Sequence, residues 1–388
     1  MRQAVIIIGS SYGDEGKGLA SVTAAKEKNA ACLNILINGG AQRGHTVEWP
    51  DGRRHVFHHF GSASAIGAVS CADQDYIVNP LLFRQEKAEL EELGLRPEMY
   101  VSSRCRVSLP WDMMLGQIIE ENRGAARHGS CGCGIQETRL RFLHSPWALS
   151  FGDLTRLNKQ EFTAYCERIA REYLPGRLRL LGMTMDQDWK AAVESGEMIR
   201  RSLNDWEYLK ESVRMYDDWK TLSAAWPVLI FEAGQGLALD AENREDYPYL
   251  TPSRTTSQES ARRIAELPGK TETEILYVTR SYLTRHGPGP FPSECPKEKI
   301  NPDMIDRTNV PNPHQQALRY GLFDGKAVRR RILLDLSETR KILPEVRSSV
   351  MITHLNETGG KLAGDEKLEN FIQGFDRCIL SDRPVFPE

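Results

Sequence analysis

A short apolar run near the start of the chain leads directly into a glycine-rich loop that carries charged side chains. The run is Ala4–Ile8, and the loop Gly9–Gly18 reads Gly-Ser-Ser-Tyr-Gly-Asp-Glu-Gly-Lys-Gly. Glycines let backbone N–H groups approach an anion closely, a following helix would direct its N-terminus at the same charge, and Lys17 adds a cation. The pattern predicts a buried strand that opens into a phosphate-binding loop of an α/β protein.

Two carboxylates within this loop, Asp14 and Glu15, are not expected of a site that only binds phosphate. They indicate a metal ion, a general base, or both. The loop also departs from the ordinary P-loop consensus, because Gly18 stands where a serine or threonine would follow the lysine, and Ser11 stands at the position of the first glycine. A tight structural turn is the alternative interpretation if the loop is considered alone.

Two further apolar runs end in the same kind of polar, glycine-containing segment. Leu33–Ile37 leads into Asn38–Thr46, and Val228–Glu232 leads into a short segment that ends at Gly236. Ligands of open parallel sheets bind at the carboxyl ends of the strands. We therefore expect the three loops to meet in one crevice, with the first two runs forming adjacent parallel strands.

Five segments, taken in order along the chain, resemble the motifs of the adenylosuccinate synthetase family. They are Tyr12–Gly18, Gly40–Thr46, Phe231–Gly236, Tyr247–Thr251 and Thr284–Pro292. The resemblance extends from residue 5 to about 294, with weaker similarity to residue 383. It implies an α/β fold related to P-loop proteins, with a mostly parallel central sheet and flanking helices, in which residues 1–388 form a single domain.

The resemblance also implies an activity, in which a ligase joins L-aspartate to carbon 6 of a 6-oxopurine nucleotide and cleaves a nucleoside triphosphate with Mg²⁺. A carboxylate removes the N1 proton of the purine, the purine O6 attacks the γ-phosphorus, and the aspartate amine displaces the 6-phosphoryl group. Matched by position, Asp14 resembles the base and a magnesium ligand, and His45 resembles the acid. The carbonyl of Gly44 stands at a further metal-ligand position, and Lys17 would contact the transferred phosphoryl group.

Further binding residues follow from the same matching and fall into three sets. The set that would hold the phosphoryl groups comprises Lys17 with Gly13, Glu15, Gly16 and Gly18. The set that would contact the purine nucleotide and its phosphate comprises Gln42, Ser130, Gln235 and Thr251. The set that would contact the base of the triphosphate comprises His354 and Asn356.

The tetrad that selects guanine in the family, Thr-Lys-Leu-Asp, is altered in this chain. It corresponds to Thr353-His-Leu-Asn356. An aspartate accepts hydrogen bonds from the guanine N1–H and the exocyclic amine together, whereas an asparagine cannot accept both. The family's terminal guanine loop is likewise reduced to Leu380–Arg383. We therefore expect ATP, or several purine triphosphates, to be used in preference to GTP.

Two other departures affect the substrates. The arginine-rich loop that binds aspartate in the family corresponds to Asn312–Gly321, where only Arg319 aligns, so that Arg319 and Arg307 are the candidates for amino-acid binding. The run that contacts the nucleotide phosphate corresponds to Gly129–Gly134, and its arginine is replaced by Cys133. Arg139 and Arg141, just downstream, are candidates for the missing charge.

The identity of the purine substrate stays open between IMP, GMP and dGMP. The segment Phe57–Ser62 resembles phage-type relatives that condense dGMP with aspartate, commonly with ATP, to form 2-amino-2′-deoxyadenylosuccinate. Asp14 favours IMP, because the phage-type enzymes often carry serine at this position. The thinned arginine loop leaves a further alternative, a nucleotide-binding regulatory homologue without turnover.

Composition excludes several other classes of function. The net charge of −3 over 388 residues argues against a nucleic-acid binder, and no apolar run approaches the roughly 20 residues of a membrane span. The N-terminal residues form a predicted core strand rather than a signal peptide, and eight scattered cysteines fit free thiols in a reducing compartment. We expect a cytoplasmic enzyme of small-molecule substrates, and the family resemblance implies a homodimer.

Other patterns along the chain complete the α/β assignment. Residues 81–94 have helical periodicity, and residues 156–222 predict a mainly helical subregion without strands. Ile275–Val278 and Val350–Thr353 predict further central strands. The basic run Arg329–Arg331 predicts a solvated helix face, with contact to a phosphate as the alternative.

Overall fold

A computed structural model describes residues 1–304 and 317–386 of the chain. The strands are β1 (Arg2–Gly9), β2 (Cys32–Leu36), β3 (His45–Glu48), β4 (Arg54–Phe57), β5 (Val69–Ala72), β6 (Ile77–Val78), β7 (Met99–Ser102), β8 (Arg106–Val107), β9 (Arg214–Tyr216), β10 (Val228–Gly236), β11 (Thr271–Arg280), β12 (Leu283–Arg285), β13 (Arg319–Gly321), β14 (Arg347–Thr353) and β15 (Arg377–Leu380).

The helices alternate with these strands along much of the chain. They are α1 (Lys17–Lys28), α2 (Pro80–Glu92), α3 (Pro110–Arg123), α4 (Ile135–Phe142), α5 (Phe151–Arg156), α6 (Lys159–Arg168), α7 (Leu174–Leu181), α8 (Gln187–Glu194), α9 (Glu197–Ser212), α10 (Trp219–Ala224), α11 (Gln258–Ala265), α12 (Gly325–Arg340) and α13 (Leu368–Phe371). The helix α2 and the strands β11 and β14 confirm three predictions made from the sequence.

Within the described residues, nine strands form one parallel sheet in the order β15-β14-β11-β1-β10-β2-β5-β7-β9. Its central strands read as continuous apolar runs because both faces of the sheet are covered. In β1, Val5 and Ile7 face a core that includes Val22 of α1, whereas Ile6 and Ile8 face a core on the other side. This confirms the α/β class and the mostly parallel sheet.

The prediction that the first two apolar runs form adjacent strands is wrong. The third run, β10, lies between them, and Phe231 of β10 is in register with Ile6 of β1 and with Ile35 of β2. Each run is a plausible neighbour of the others, and strand order depends on pairing between distant segments that local sequence does not encode. As a result, the loop that follows β10 lies between the other two loops at the carboxyl edge of the sheet.

The segment 156–222 is mainly helical, as predicted, but it also contains a strand. The strand β9 pairs with β7 at the edge of the sheet. It is only three residues long, and Arg214 and Met215 are exposed, so it carries neither an apolar run nor a regular alternation. Trp206 and Trp219 of this segment are buried, and Trp206 packs against Phe162 with ring centroids 5.1 Å apart, whereas Trp189 is half-buried.

Two general expectations can be compared with the structure. In the described parts of the chain, we find no helix both long and apolar enough to cross a lipid bilayer. All eight cysteines are free thiols.

Candidate active site

A cavity of about 480 Å³ opens at the carboxyl edge of the central strands. It is lined by the loop after β1, by the start of β3, by the segment after β14 and by the tail after β15. The residues singled out in the sequence that line it are Asp14, Glu15, Gly16, Lys17, Gly44, His45, His354 and Asn356. The structure therefore brings the proposed base, acid, lysine and base-contacting residues into one space.

The loop after β1 is held in shape by Glu15, whose side chain is buried. Its Oε1 accepts hydrogen bonds from the N–H groups of Ser11 (2.8 Å) and Gly13 (3.1 Å), and its Oε2 contacts Lys17 Nζ at 2.9 Å. A Cβ atom at Gly236 would lie 2.7 Å from Glu15 Oε1 and 2.2 Å from the Ser11 carbonyl oxygen. The Glu15 carboxylate thus lies inside the loop, while the backbone of the loop lies toward the cavity.

The helix α1 begins at Lys17, immediately after this loop, and directs its N-terminus at the cavity. Gly16 precedes it in a left-handed conformation, with φ of 96°. Gly18, in the first turn, lies so close to β3 that a Cβ atom would be 2.4 Å from the Thr46 carbonyl oxygen. This close approach places His45, the first residue of β3, beside the helix N-terminus, where an anion is stabilised.

Asp14 is fixed from both its backbone and its side chain. Its backbone is left-handed, with φ of 56°, and its carbonyl accepts a hydrogen bond from Arg280 Nε. Its Oδ2 contacts His286 Nε2 at 2.9 Å. Burial would raise the pKa of Asp14, but the hydrogen bond and charge of His286, together with Arg280 and Lys17, outweigh burial and hold the pKa well below its usual range. Asp14 is therefore ionised at neutral pH.

His45 lies in a buried cluster of charges that sequence reasoning did not identify. Its Nδ1 is 2.5 Å from Glu232 Oε1, which indicates that Nδ1–H donates to the carboxylate and that Nε2 is an acceptor when the ring is neutral. Arg43 Nη2 is 2.5 Å from the same oxygen and 2.8 Å from Nδ1. The Nε2 atom is buried and has no hydrogen-bond partner among the described residues. His45 itself lines the cavity.

This cluster predicts the titration of His45. Burial and the charge of Arg43 lower its pKa to about 4, against the opposite effect of Glu232. In a ¹³C-histidine NMR titration we expect the His45 ring to stay neutral between pH 6 and 8 in the free protein. Arg43→Met should move the midpoint upward, because the cation that disfavours imidazolium is removed. Arg54→Met, which removes a half-buried arginine that pairs with Glu48 and not with this cluster, should not move the midpoint. A wild-type midpoint at or above 6 would contradict this account of the cluster.

Two of the remaining purine-nucleotide candidates, Gln42 and Gln235, are not among the lining residues of the cavity. Gln235 is the second-last residue of the strand β10, and its Oε1 lies 3.7 Å from the position that a Cβ atom of Gly13 would take. The amide of Gln42 is buried, and neither of its polar atoms has a hydrogen-bond partner in the described parts of the chain. A buried amide without partners is costly, which indicates that a bound polar group completes it.

Ser130 and Thr251 are not lining residues of the 480 Å³ cavity, but their loops pack against the loop that carries His286. Gly129, next to Ser130, is close to Pro288 and Gly287, and His128 lies against Tyr249 with ring centroids 6.0 Å apart. Thr251 donates its backbone N–H to the Leu239 carbonyl, at 3.0 Å. Ser130 is exposed at the surface of this group of loops. The loops that carry Ser130 and Thr251 therefore form one group with the loop that carries His286, and His286 joins this group to Asp14.

The prediction that Arg329–Arg331 form a solvated helix face is wrong for Arg331. Its Nε donates to the Ser10 carbonyl and its Nη2 to Ser11 Oγ, both at 3.0 Å. Its guanidinium also lies 5.7 Å from the centroid of the Tyr12 ring, whose other neighbour is Arg285 at 4.7 Å. Arg331 thus supports the first residues of the glycine-rich loop from α12, although it is distant in sequence.

The two arginines proposed for amino-acid binding have different outcomes. Arg319, the first residue of β13, is engaged by the segment after β12, where Nε binds Glu294 Oε1 at 2.8 Å, Nη2 contacts the other oxygen, and Nη1 donates to the carbonyls of Gly287 and Gly289. A substrate carboxylate would have to replace Glu294 at this guanidinium. Arg307 lies outside the described residues.

Arg141 does not supply the charge that is missing from the segment Gly129–Gly134. It is 1% exposed and forms a two-point ion pair with Asp112, with both N–O distances 2.8 Å. Its remaining N–H groups donate to the carbonyls of Val107 and Trp147 and to the Tyr165 hydroxyl. A guanidinium satisfied in this way is structural. Arg139, on the same helix, is half-buried and remains the candidate.

The fold and the site together define an α/β protein with a parallel sheet and, at the carboxyl edge of its strands, a cavity lined by a glycine-rich loop that carries an ionised carboxylate and a lysine. A family model described as adenylosuccinate synthetase matches residues 6–340. The chain belongs to the adenylosuccinate synthetase family, and it is a nucleotide-dependent ligase that forms C–N bonds.

Curated relatives and solved structures agree with this assignment. The chain is 28% identical over 347 residues to the adenylosuccinate synthetase of Psychrobacter cryohalolentis, covering 86% of this chain and 75% of that protein. It is 26% identical to that of a Marinomonas species, covering 100% and 87%. Each is an enzyme that this chain resembles in sequence along most of its length.

Two solved structures share the fold. One is the fully ligated adenylosuccinate synthetase of Plasmodium falciparum, with a TM-score of 0.66, 20% identity, and coverage of 91% of this chain and 77% of that one. The other is the succinoaminodeoxyadenylate synthetase of cyanophage S-2L bound to dGMP and dATP, with a TM-score of 0.64, 16% identity, and coverage of 99% and 94%. Both the cellular and the phage enzymes therefore have the architecture described above.

Proposed function

We propose that this ligase condenses L-aspartate with carbon 6 of a 6-oxopurine nucleotide, IMP or (d)GMP, through a 6-phosphoryl intermediate, and that it uses ATP in preference to GTP. The observation that carries the proposal is that Asp14, Lys17 and His45 line a single cavity beside the N-terminus of α1. A carboxylate, a cation and an imidazole within one site support this proposal, because transfer of a phosphoryl group depends on positioning and electrostatic stabilisation.

The first step needs a base that stays ionised next to the purine. The surroundings of Asp14 hold its pKa low, so it is a carboxylate at neutral pH. The low pKa makes it a weak base, and we propose that it takes the N1 proton while O6 attacks the phosphorus. Loss of that proton makes O6 nucleophilic toward the γ-phosphorus. The attack of O6 breaks the bond between the γ-phosphorus and the bridging oxygen, and the nucleoside diphosphate leaves. In the second step the aspartate amine attacks carbon 6, the C6–O bond breaks as the 6-phosphoryl group leaves as phosphate, and the nitrogen loses a proton.

The transferred phosphoryl group would be stabilised by Lys17, by the N–H groups at the start of α1 and by His45. A phosphoryl anion opposite Nε2 of His45 favours the imidazolium, which raises the pKa of the ring above its value in the free protein. Glu232, at 2.5 Å from Nδ1, stabilises the resulting charge. His45 would thus gain its proton when the substrates are bound and donate from Nε2 to the phosphoryl oxygen.

The residues present fit a magnesium ion. The described residues contain no group of three or more histidine, cysteine or acidic side chains suited to a metal. Magnesium does not need such a group, because it is usually bound by one or two carboxylates together with substrate phosphates and water. Asp14 and the carbonyl of Gly44 line the same cavity and would hold it. When bound, Mg²⁺ neutralises negative charge on the phosphates.

The preference for ATP is proposed from the segments after β14 and β15 that line the cavity. His354 and Asn356 line it together with Arg383 and Pro384 of the tail. His354 is fixed by a contact between its Nδ1 and Thr353 Oγ1 at 2.8 Å, and burial lowers its pKa well below the usual value, so the ring is neutral. A neutral ring and an amide offer no carboxylate to the N1–H and amine of guanine.

The base preference predicts the behaviour of a double variant. His354→Lys combined with Asn356→Asp should raise the ratio of kcat/KM for GTP to that for ATP by about 10-fold or more, since a hydrogen bond to a charged group contributes about 1.5–3 kcal/mol. Steady-state kinetics with both triphosphates measures this ratio. Asn370→Asp, which adds the same charge on the exposed surface of α13, is the control. An unchanged ratio in the double variant would place the base elsewhere.

The activity itself is tested by product formation. Purified protein is mixed with L-aspartate, Mg²⁺ and either ATP or GTP, and with IMP, GMP or dGMP in turn. We expect a succinyl-purine nucleotide and one phosphate per turnover with at least one purine, detected by mass spectrometry and phosphate release. Absence of product from every combination would reject the proposal. The purine that reacts fastest decides between IMP, which Asp14 favours, and dGMP, which the segment Phe57–Ser62 favours.

A second function is motivated by the contacts of Arg319. Its engagement with Glu294 leaves amino-acid binding without an assigned guanidinium among the described residues. A homologue that binds nucleotide without turnover, acting in regulation, would show saturable binding of ATP and purine nucleotide in calorimetry and no product in the same assay.

We also propose a homodimer, as the family resemblance implies, which sedimentation velocity can test.

A further inference from the structure

We propose that His286 is a positioning residue for the general base, holding the Asp14 carboxylate so that one oxygen faces the N1 proton of the purine. The inference rests on the proposed function and concerns a residue to which no role was assigned above. Its main observation is the 2.9 Å contact between His286 Nε2 and Asp14 Oδ2. A side chain with two equivalent oxygens can be oriented by occupying one of them.

The backbone of Asp14 is fixed, so without the contact to His286 its carboxylate could move only by rotation about the side-chain bonds. Its backbone is set by the left-handed conformation and by Arg280, which donates to the Asp14 carbonyl. On the carboxylate, His286 is the hydrogen-bond partner that the described residues provide, at Oδ2. With Oδ2 held, Oδ1 is the oxygen directed to a bound purine. Without the imidazole, the carboxylate could turn toward Lys17 or Arg280, whose charges act on it.

The position of His286 is itself fixed by packing between its loop and the loops that carry Ser130 and Thr251. It follows Arg285, which donates to the carbonyls of Pro290 at 2.8 Å and Tyr249 at 3.0 Å. The next residue, Gly287, packs against Gly129, where a Cβ atom would lie 3.2 Å from the Gly129 Cα. A movement of the loops that carry Ser130 and Thr251 would therefore move the His286 imidazole and, through its contact, the Asp14 carboxylate.

The test compares two substitutions at His286 with one at His128. His286→Leu removes the ring nitrogen, and His286→Gln places an amide N–H near the position of Nε2. We expect His286→Leu to lower kcat about 10- to 100-fold, with KM values for both nucleotides within about 3-fold of wild type, because misplacing a catalytic group by about 1 Å costs about 100-fold. His286→Gln should recover most of this loss. His128→Leu, in the adjacent loop beside Tyr249, is the matched control and should leave kcat unchanged.

Two further measurements separate positioning from a structural ion pair. A 6-oxopurine nucleotide with a more acidic N1–H needs less help from the base, so the kcat loss of His286→Leu should shrink with such a substrate. In crystal structures, the Asp14 side chain should adopt one rotamer in wild type and other rotamers in His286→Leu. An Asp14 side chain that stays in place in the variant would overturn the inference whether or not activity is found.

The inference and the proposed function fail in different ways. If wild-type protein forms no product, the function is rejected, and the crystallographic comparison still decides the role of His286. If wild type forms product and His286→Leu keeps the wild-type kcat, only the inference is rejected. A parallel loss in His286→Leu and His128→Leu would show that the loops, rather than the contact with Asp14, determine the rate.

Discussion

Replacing Asp14 by asparagine is expected to lower kcat by about 10³-fold or more, the upper part of the range for loss of a general base. The amide is nearly isosteric with the carboxylate and can still accept a hydrogen bond from His286, so the fold should be retained. It cannot accept the N1 proton of the purine, and it is a poorer ligand for Mg²⁺. Initial rates with saturating substrates, together with a thermal melt, measure both outcomes.

The matched control for this variant is Asp303→Asn. Asp303 lines the same cavity, so the substitution changes the local charge by the same amount without touching the proposed base. We expect it to change kcat by less than about 3-fold, since surface charges interact weakly through water. A rate for Asp14→Asn within 10-fold of wild type would remove Asp14 from the role of base.

Replacing Arg141 by methionine is expected to destabilise the fold by about 3–5 kcal/mol, the cost of breaking a buried ion pair by removing one partner. The change leaves the Asp112 carboxylate buried without its cation, and it removes a donor from the carbonyl of Val107 and one of two donors from the carbonyl of Trp147. Urea denaturation followed by circular dichroism measures the change in the free energy of unfolding.

Arg139→Met, two residues away on the same helix, is the control for Arg141. Its side chain is half-buried, and Asp75, the carboxylate whose charge acts on it, keeps its ion pair with Arg106 when Arg139 is lost, so we expect a change of about 0.5 kcal/mol or less. If Arg141→Met kept the stability of wild type and instead weakened binding of the purine nucleotide, the arginine would belong to the phosphate site after all.

Much of the sheet could be predicted from the sequence, because each central strand is signalled within its own residues. The apolar runs that became β1, β2, β10, β11 and β14 are buried on both faces, which makes them continuous rather than alternating. Their order in space was not available in the same way. The position of β10 between β1 and β2 depends on pairing across more than 190 residues of chain.

The candidate site was predictable where one motif carries its own chemistry, as in Asp14 and Lys17. It was not predictable where two distant segments supply one charge pair. Glu232 and Arg43 both lie in motifs noted in the sequence, but their meeting at His45 depends on the neighbouring positions of β10 and the loop after β2. A glutamate at the end of an otherwise apolar run was the available signal, since a buried carboxylate needs a partner.

Some residues of the motifs do something other than what their position suggests. Glu15 was expected at the phosphates, yet its carboxylate binds the N–H groups of Ser11 and Gly13 from within the loop. Arg331 was expected in solvent, yet it supports the same loop from α12. Periodicity and motif position do not report the direction of a side chain when its partner comes from a distant segment.

The parallel arrangement of the sheet has a practical consequence for immobilising or tagging the protein. Met1 is exposed and precedes β1, so it lies at the amino edge of the strands, away from the cavity at the carboxyl edge. The other end is different, because Arg383 and Pro384 line the cavity and Phe386 is buried against Trp49. Attachment to a sensor surface through the first residue would leave the substrates' entrance open, whereas attachment beyond Phe386 would crowd it.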